Sequence, residues 1–232
     1  MDENTNSGNS GMRSDSKVGD RGISSIKRGA FLGIIEVILV IPGYFIDLIY
    51  LHDITGMIDA NFYPVKLPAN AFIIYDIFII LTLLSFIPYL LSIINYRNGF
   101  RDIMAVDKSF SGPYSFSKYI IIFLFVMIIA MLFLLLNGFS VFHITIAPTV
   151  HGFNIDAAIV MIVLAFIVLI FSIMSLIGFV YLIIGLFRFS EIYNQGIGKV
   201  GAILYIIPFA DILAPIFIYI SASRAEKSEK LE

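Results

Sequence analysis

The 232-residue chain is 59% hydrophobic and only 14% charged, where a soluble domain has roughly 45–50% and 25%. That composition excludes an ordinary soluble fold and predicts an integral membrane protein. A formal net charge of −2 offers no basic field for nucleic acid, and the lack of any cysteine excludes disulfides, thiolate chemistry and cysteine-ligated zinc or iron–sulfur centres.

Residues 1–22, rich in Ser, Gly, Asn and Asp, read as a disordered polar arm. No cleavable signal peptide is evident, because the first apolar run contains Glu36 and lacks a small-residue cleavage site beyond it. Residues 23–222 read as an all-α transmembrane bundle of five spans, about 29–51, 71–96, 118–142, 156–187 and 200–222. Each is long enough for a hydrocarbon core that takes roughly 20 residues. The fourth is too long for a straight crossing and must tilt or project. Residues 223–232 form a charged C-terminal tail. Between spans two and three, "GFRDIMAVDKSF" reads either as an interfacial helix with Phe100, Ile103, Met104 and Phe110 on one side or as a loop anchored by its phenylalanines.

Lysine and arginine set the orientation. Arg13, Lys17, Arg21, Lys27 and Arg28 precede span one. Arg97, Arg101, Lys108 and Lys118 lie between spans two and three, and Arg188 and Lys199 between four and five. The opposite loops hold only Lys66, so the N-terminus is expected in the cytoplasm. Five crossings would then put the tail outside, although it carries Arg224, Lys227 and Lys230. The prolines of "IIPFADILAP" (206–215) suggest two geometries for the last segment. The first is a full, kinked crossing; the second is a re-entrant hairpin, which would return the tail to the cytoplasm.

Counting about 1.5 Å per residue from the inner boundary puts Asp211 about 18 Å deep. Ser172, Ser175, Thr82 and Ser85 fall near the same level, with Glu36 at the inner edge, so these six residues are the candidate intramembrane polar layer. An unpaired carboxylate at such depth is expected to carry a proton, with Asp211 donating to a carbonyl or to a span-four hydroxyl. Span three has no side chain more polar than methionine between Tyr119 and Asn137 and is expected to be the most lipid-exposed. Small residues mark packing faces: Gly29 and Gly33, Ala210 and Ala214, and a stripe of Ala165, Ser172, Gly178 and Gly185 expected to receive span five. The glycines of "NQGIGKVGA" (194–202) are expected to form a tight turn.

No catalytic site is predicted. An intramembrane aspartyl pair of Asp76 and Asp211 fails because the two count to about 30 Å and about 18 Å of depth, whereas such a dyad shares one proton. His52, His143 and His151 all fall on the outer side without a metal-ligand spacing. No phosphate loop, nucleophile elbow or dinucleotide fingerprint is present, so no cofactor is expected.

The segments "GFRDI" (99–103) and "LFRFSEIYNQGIGKVGAILYIIPFADILAPIFIYI" resemble an archaeal integral membrane family catalogued as domain of unknown function number nine hundred and seventy-three. The resemblance implies a polytopic protein and carries over no substrate or catalytic residue; the expected location is the cell membrane. The first functional expectation is a non-enzymatic scaffold or subunit of a membrane assembly, whose partners are the bilayer and copies of itself or other membrane subunits. The second is a proton- or ion-coupled carrier or channel subunit acting through Asp211 and Glu36.

Overall fold

The computed structural model describes residues 19–42, 69–130, 132, 155–207 and 209–229. Among these, every element is helical. In chain order they are α1 (19–42), α2 (Ala69–Met104), a 3-10 turn (Lys108–Phe110), α3 (Ser111–Phe116), α4 (118–130), α5 (Ile155–Ile192), α6 (Gly196–Leu204), a second 3-10 turn (Asp211–Leu213) and α7 (Ala214–Glu229). Helices suit such a chain because each satisfies its own backbone polar groups where no water is available to do so. Three helical stretches are long and apolar enough to cross a membrane: Ile80–Met104, Lys108–Ala130 and Ile162–Ile192.

The described helices overrun the predicted boundaries. Helix begins by residue 19, inside the expected polar arm. α2 continues to Met104 because Phe100 and Ile103 are buried, as is Phe110 in the turn beyond. Phe100, Ile103 and Phe110 of "GFRDIMAVDKSF" thus pack into the protein, while Arg101, Val106 and Lys108 stay exposed. Phe100 and Phe110 face each other with ring centroids 5.9 Å apart. α5 has 38 residues, about 57 Å at the usual rise.

The chain divides into two compact units. The first comprises residues 1–34, 89–121 and 174–232; the second comprises 35–88 and 122–173. Every described lysine and arginine lies in the first unit. The second carries only acids among its described charged residues: Glu36, Asp76 and Asp156.

The core of the first unit is built on close helix approaches. Gly22 and Gly99 let α1 and α2 meet almost backbone to backbone, and Ser92 Oγ donates to Gly29 O at 2.7 Å. Around them Ile23, Ile26, Ile93, Tyr96 and Phe100 are buried. α5 runs antiparallel to the segment from Lys108 onward. Arg188 Nη1 donates to Ser109 O at 2.9 Å, Gly185 lies against Phe100 and Pro113, and Gly178 lies against the Phe116 carbonyl and Ile120. Tyr181 stacks on Phe116 at 4.2 Å.

Two expectations are corrected here. The glycines of the α5 stripe receive α2, α3 and α4 instead of span five, while Ala165 and Ser172 are exposed. Among the described residues the least buried candidate span is Ile162–Ile192, 6% buried against 28% for Lys108–Ala130, and the rest of span three lies outside them. The absence of polar side chains in span three signalled lipid tolerance, but tight packing needs none, and Ile120 and Leu124 are buried.

Candidate functional site

The segment read as span five is two short helices that pack antiparallel on each other. α5 ends in a Schellman motif: Gln195 N–H donates to Ser190 O at 2.7 Å, Asn194 N–H donates to Glu191 O at 3.0 Å, and Asn194 takes the left-handed conformation (φ 50°). The tight turn is thus built on Asn194 instead of the following glycines. Those glycines serve packing. Gly198 sits against the buried Ser190 and Ser221, and Gly201 sits against Phe217, Ile218 and the Ala214 carbonyl. A side chain at either position would push α7 away.

α6 spans nine residues, about 13 Å, or roughly half of a hydrocarbon core. The chain then reverses. Phe209 takes a left-handed backbone (φ 67°), which costs a bulky residue about 1–2 kcal/mol. Ala210 and Asp211 N–H groups both donate to Ile207 O at 3.1 Å. Pro208 lies outside the described residues. Tyr205 near the turn meets the buried Tyr96, hydroxyl to hydroxyl at 3.2 Å, and the edge of Phe179. The tip is apolar and exposed: Ile206, Ile207, Leu213 and Phe209, the last 84% exposed.

Asp211 stands on this tip, exposed, at the start of the 3-10 turn. Its Oδ1 accepts from Ile212 N–H at 3.0 Å. The expected donation to a span-four hydroxyl is therefore replaced by an acceptor role toward its own backbone.

α7 returns along α1. Pro215 packs on Gly33, Tyr219 faces Phe31 with centroids 6.3 Å apart, and Lys27 Nζ bonds Glu226 Oε2 at 2.7 Å. Lys27 also lies 5.8 Å from the Tyr219 ring centre. Gly29 and Gly33, one G-x-x-x-G, thus serve two neighbours, α2 and α7. At the far end Glu229 and Tyr193 close on Gly19. Burial, then the Glu229 and Asp20 carboxylates, push the Tyr193 phenol well above its ordinary value. The Glu226 bond raises Lys27 against a smaller opposing effect of burial.

The candidate polar layer is divided between the units. Asp211 and Ser175 belong to the first; Glu36, Thr82, Ser85 and Ser172 belong to the second. Ser85 is buried and donates to Thr82 O at 2.7 Å, so its hydroxyl is satisfied within α2. Ser175 and Glu36 are half-buried and Ser172 is exposed. His52, His143 and His151, and the Asp76 side chain, lie outside the described residues. No group of metal ligands occurs among the described ones.

Sequence reasoning missed Tyr96, Tyr205, Lys27, Glu226 and Tyr193. The signal available was local: Lys27 and Glu226 both point to a shared end only once the last segment is folded back.

No curated protein and no solved structure matches the chain. A family model described as "Protein of unknown function (DUF973)" matches residues 20–230, nearly the whole described fold. This protein belongs to the DUF973 family.

Proposed function

We propose that the protein is a multi-pass membrane subunit of a larger assembly, non-enzymatic, with both termini in the cytoplasm. In this reading α1, α2, α4 and α5 cross the membrane, and the α6–α7 hairpin dips in from the cytoplasmic face, turns near Phe209 and returns. Two observations support the topology. All described cations fall in one unit, and Lys27 bonds Glu226, so the tail that contradicts the positive-inside rule under five crossings obeys it under four plus a hairpin.

The observation that carries the function is the exposed Asp211 on an exposed apolar tip. Facing lipid at that depth, an ionised carboxylate costs at least about 2.5–3.5 kcal/mol. A donor on another subunit, or on a second copy, removes that cost. The test is the mass of the full chain released from lipid nanodiscs, with Asp211→Leu alongside. An oligomer or complex that D211L dissociates is expected; a wild-type monomer, or an assembly indifferent to D211L, overturns the reading.

Transport is the second reading, favoured by one feature: an acid at the reversal of two half-length helices, an arrangement suited to ion sites. It predicts proton flux in liposomes that Asp211→Asn abolishes while leaving the assembly intact.

A further inference from the structure

Arg97 has a setting unlike the other cations of the first unit. Like Lys108, Lys118 and Arg188 it lies within a membrane-compatible stretch, here Ile80–Met104, and forms no ion pair among the described residues; a buried Nε sets it apart. The carboxylates nearest in sequence are engaged elsewhere: Asp102 with Arg101 at 3.0 Å, and Asp107 as the cap accepting from Ser109 N–H at 2.8 Å. Arg97 Nε is buried without a hydrogen-bond partner among the described residues. What Arg97 does have is an aromatic floor, its guanidinium carbon lying 4.3 Å from the centre of the Tyr114 ring.

That floor is itself fixed. Pro113 is buried against Gly185 of α5, and Ser117 Oγ donates to Tyr114 O at 3.0 Å. Ser117 keeps helical dihedrals and bonds back to Pro113 O, so the helix path continues from Tyr114 to Lys118. The four-residue spacing puts the exposed Lys118 on the same helix face as Tyr114, with its Nζ 5.3 Å from the centre of the neighbouring Tyr119 ring. A guanidinium held flat on a ring keeps a planar fork of donors that matches a phosphate, and a lysine beside it adds a point charge. Burying part of a cation without a counter-charge is unfavourable, and a bound anion corrects it.

We propose that Arg97, supported on Tyr114 with Lys118 alongside, holds the phosphate of an anionic lipid headgroup. Lipid is the source because Arg97, Tyr114 and Lys118 all belong to stretches apolar enough to lie in a membrane, where a boundary cation meets headgroup phosphate first. The inference does not depend on the assembly reading, since it involves no residue of the α6–α7 tip.

The test measures thermal stabilisation of the full chain in detergent as phosphatidylglycerol, phosphatidylcholine or inorganic phosphate is titrated in. Phosphatidylglycerol should stabilise the wild type far more than the other two. Arg97→Gln should raise the half-saturating lipid concentration about tenfold, the loss of one strong charge-assisted contact. Tyr114→Leu, which keeps every charge, should weaken the response in the same direction, as should Lys118→Gln. Arg224→Gln, an exposed cation on α7, should leave it unchanged. Equal losses in R97Q and R224Q would mean diffuse charge attraction and overturn the site. Full stabilisation by inorganic phosphate would overturn the lipid assignment. If R97Q does not fold, Y114L and K118Q decide the outcome, and an unaltered response in both overturns the proposal.

Discussion

Gly198→Ala tests the hairpin most directly. In an exposed helix this substitution stabilises by about 1 kcal/mol, because alanine loses less backbone freedom. At Gly198 the new methyl would lie 2.7 Å from Ser221 Cβ and overlap both the Ser190 and Ser221 hydroxyls. Comfortable carbon–carbon contact is about 3.5–4.0 Å, so α6 and α7 must separate by about 1 Å. Overpacking of this kind costs about 1–3 kcal/mol, which leaves a net loss of up to about 2 kcal/mol after the propensity gain. Gly196 is the internal control: it begins the same helix, and an added Cβ there meets nothing within 4 Å. Thermal denaturation in one detergent, followed by circular dichroism, should place G198A below the wild type by several degrees, on the soluble-domain scale of about 2–4 °C per kcal/mol. G196A should stay at or slightly above the wild type. Equal melting of the two variants would mean that α6 and α7 are not packed face to face, and the fold-back would fall with that contact.

Because the chain has no cysteine, Arg21→Cys and Ser228→Cys can each report sidedness. Both sites are exposed, and a membrane-impermeant maleimide should label both from the cytoplasmic side, whereas labelling from opposite sides would restore a fifth crossing. Tyr205→Phe removes one partner of the Tyr96 hydroxyl pair and should cost about 1 kcal/mol; a melting curve identical to the wild type would show that the pair adds nothing. Alkaline pH should loosen the junction of the chain ends. Tyr193 and Lys27 both have raised values in the folded state, so the native form holds protons that the unfolded form releases. Their stabilisation is complete below about pH 10 and is lost as pH rises through the folded values. Tyr193→Phe with Lys27→Met should flatten that decline, and an unchanged alkaline limb in the double variant would place its cause elsewhere.

Much of the architecture was legible in the amino-acid sequence. Long apolar runs announce helices because lipid offers backbone groups no other partner. The cations of residues 97–118 and 188–199 were expected on one side, and the structure gathers them with Arg21, Lys27 and Arg28 into one unit. The conflict posed by Arg224 and Lys227 was also visible, but the first reading was a full, kinked crossing, and the fold-back was only the second. The family was legible too, through the segments "GFRDI" and "LFRFSEIYNQGIGKVGA".

The site was less legible, for a definite reason. An apolar run from 200 to 222 has the same composition whether it crosses or folds back, since a half-depth hairpin and a full crossing both need apolar residues where lipid surrounds them. Depth counting assumed a straight rise and so levelled Asp211 with serines on other helices. The turn instead carries it to an exposed tip. Sequence alone indicated helices long and apolar enough to cross a membrane, with lysine and arginine concentrated in the segments that flank them. Tertiary structure decided that the last segment turns back, because only packing fixes which helix each glycine meets: Gly198 and Gly201 admit α7 against α6, and Gly33 admits Pro215 against α1. Close approach depends on the shapes of two surfaces at once, and a linear sequence specifies each of those surfaces without stating which two will touch.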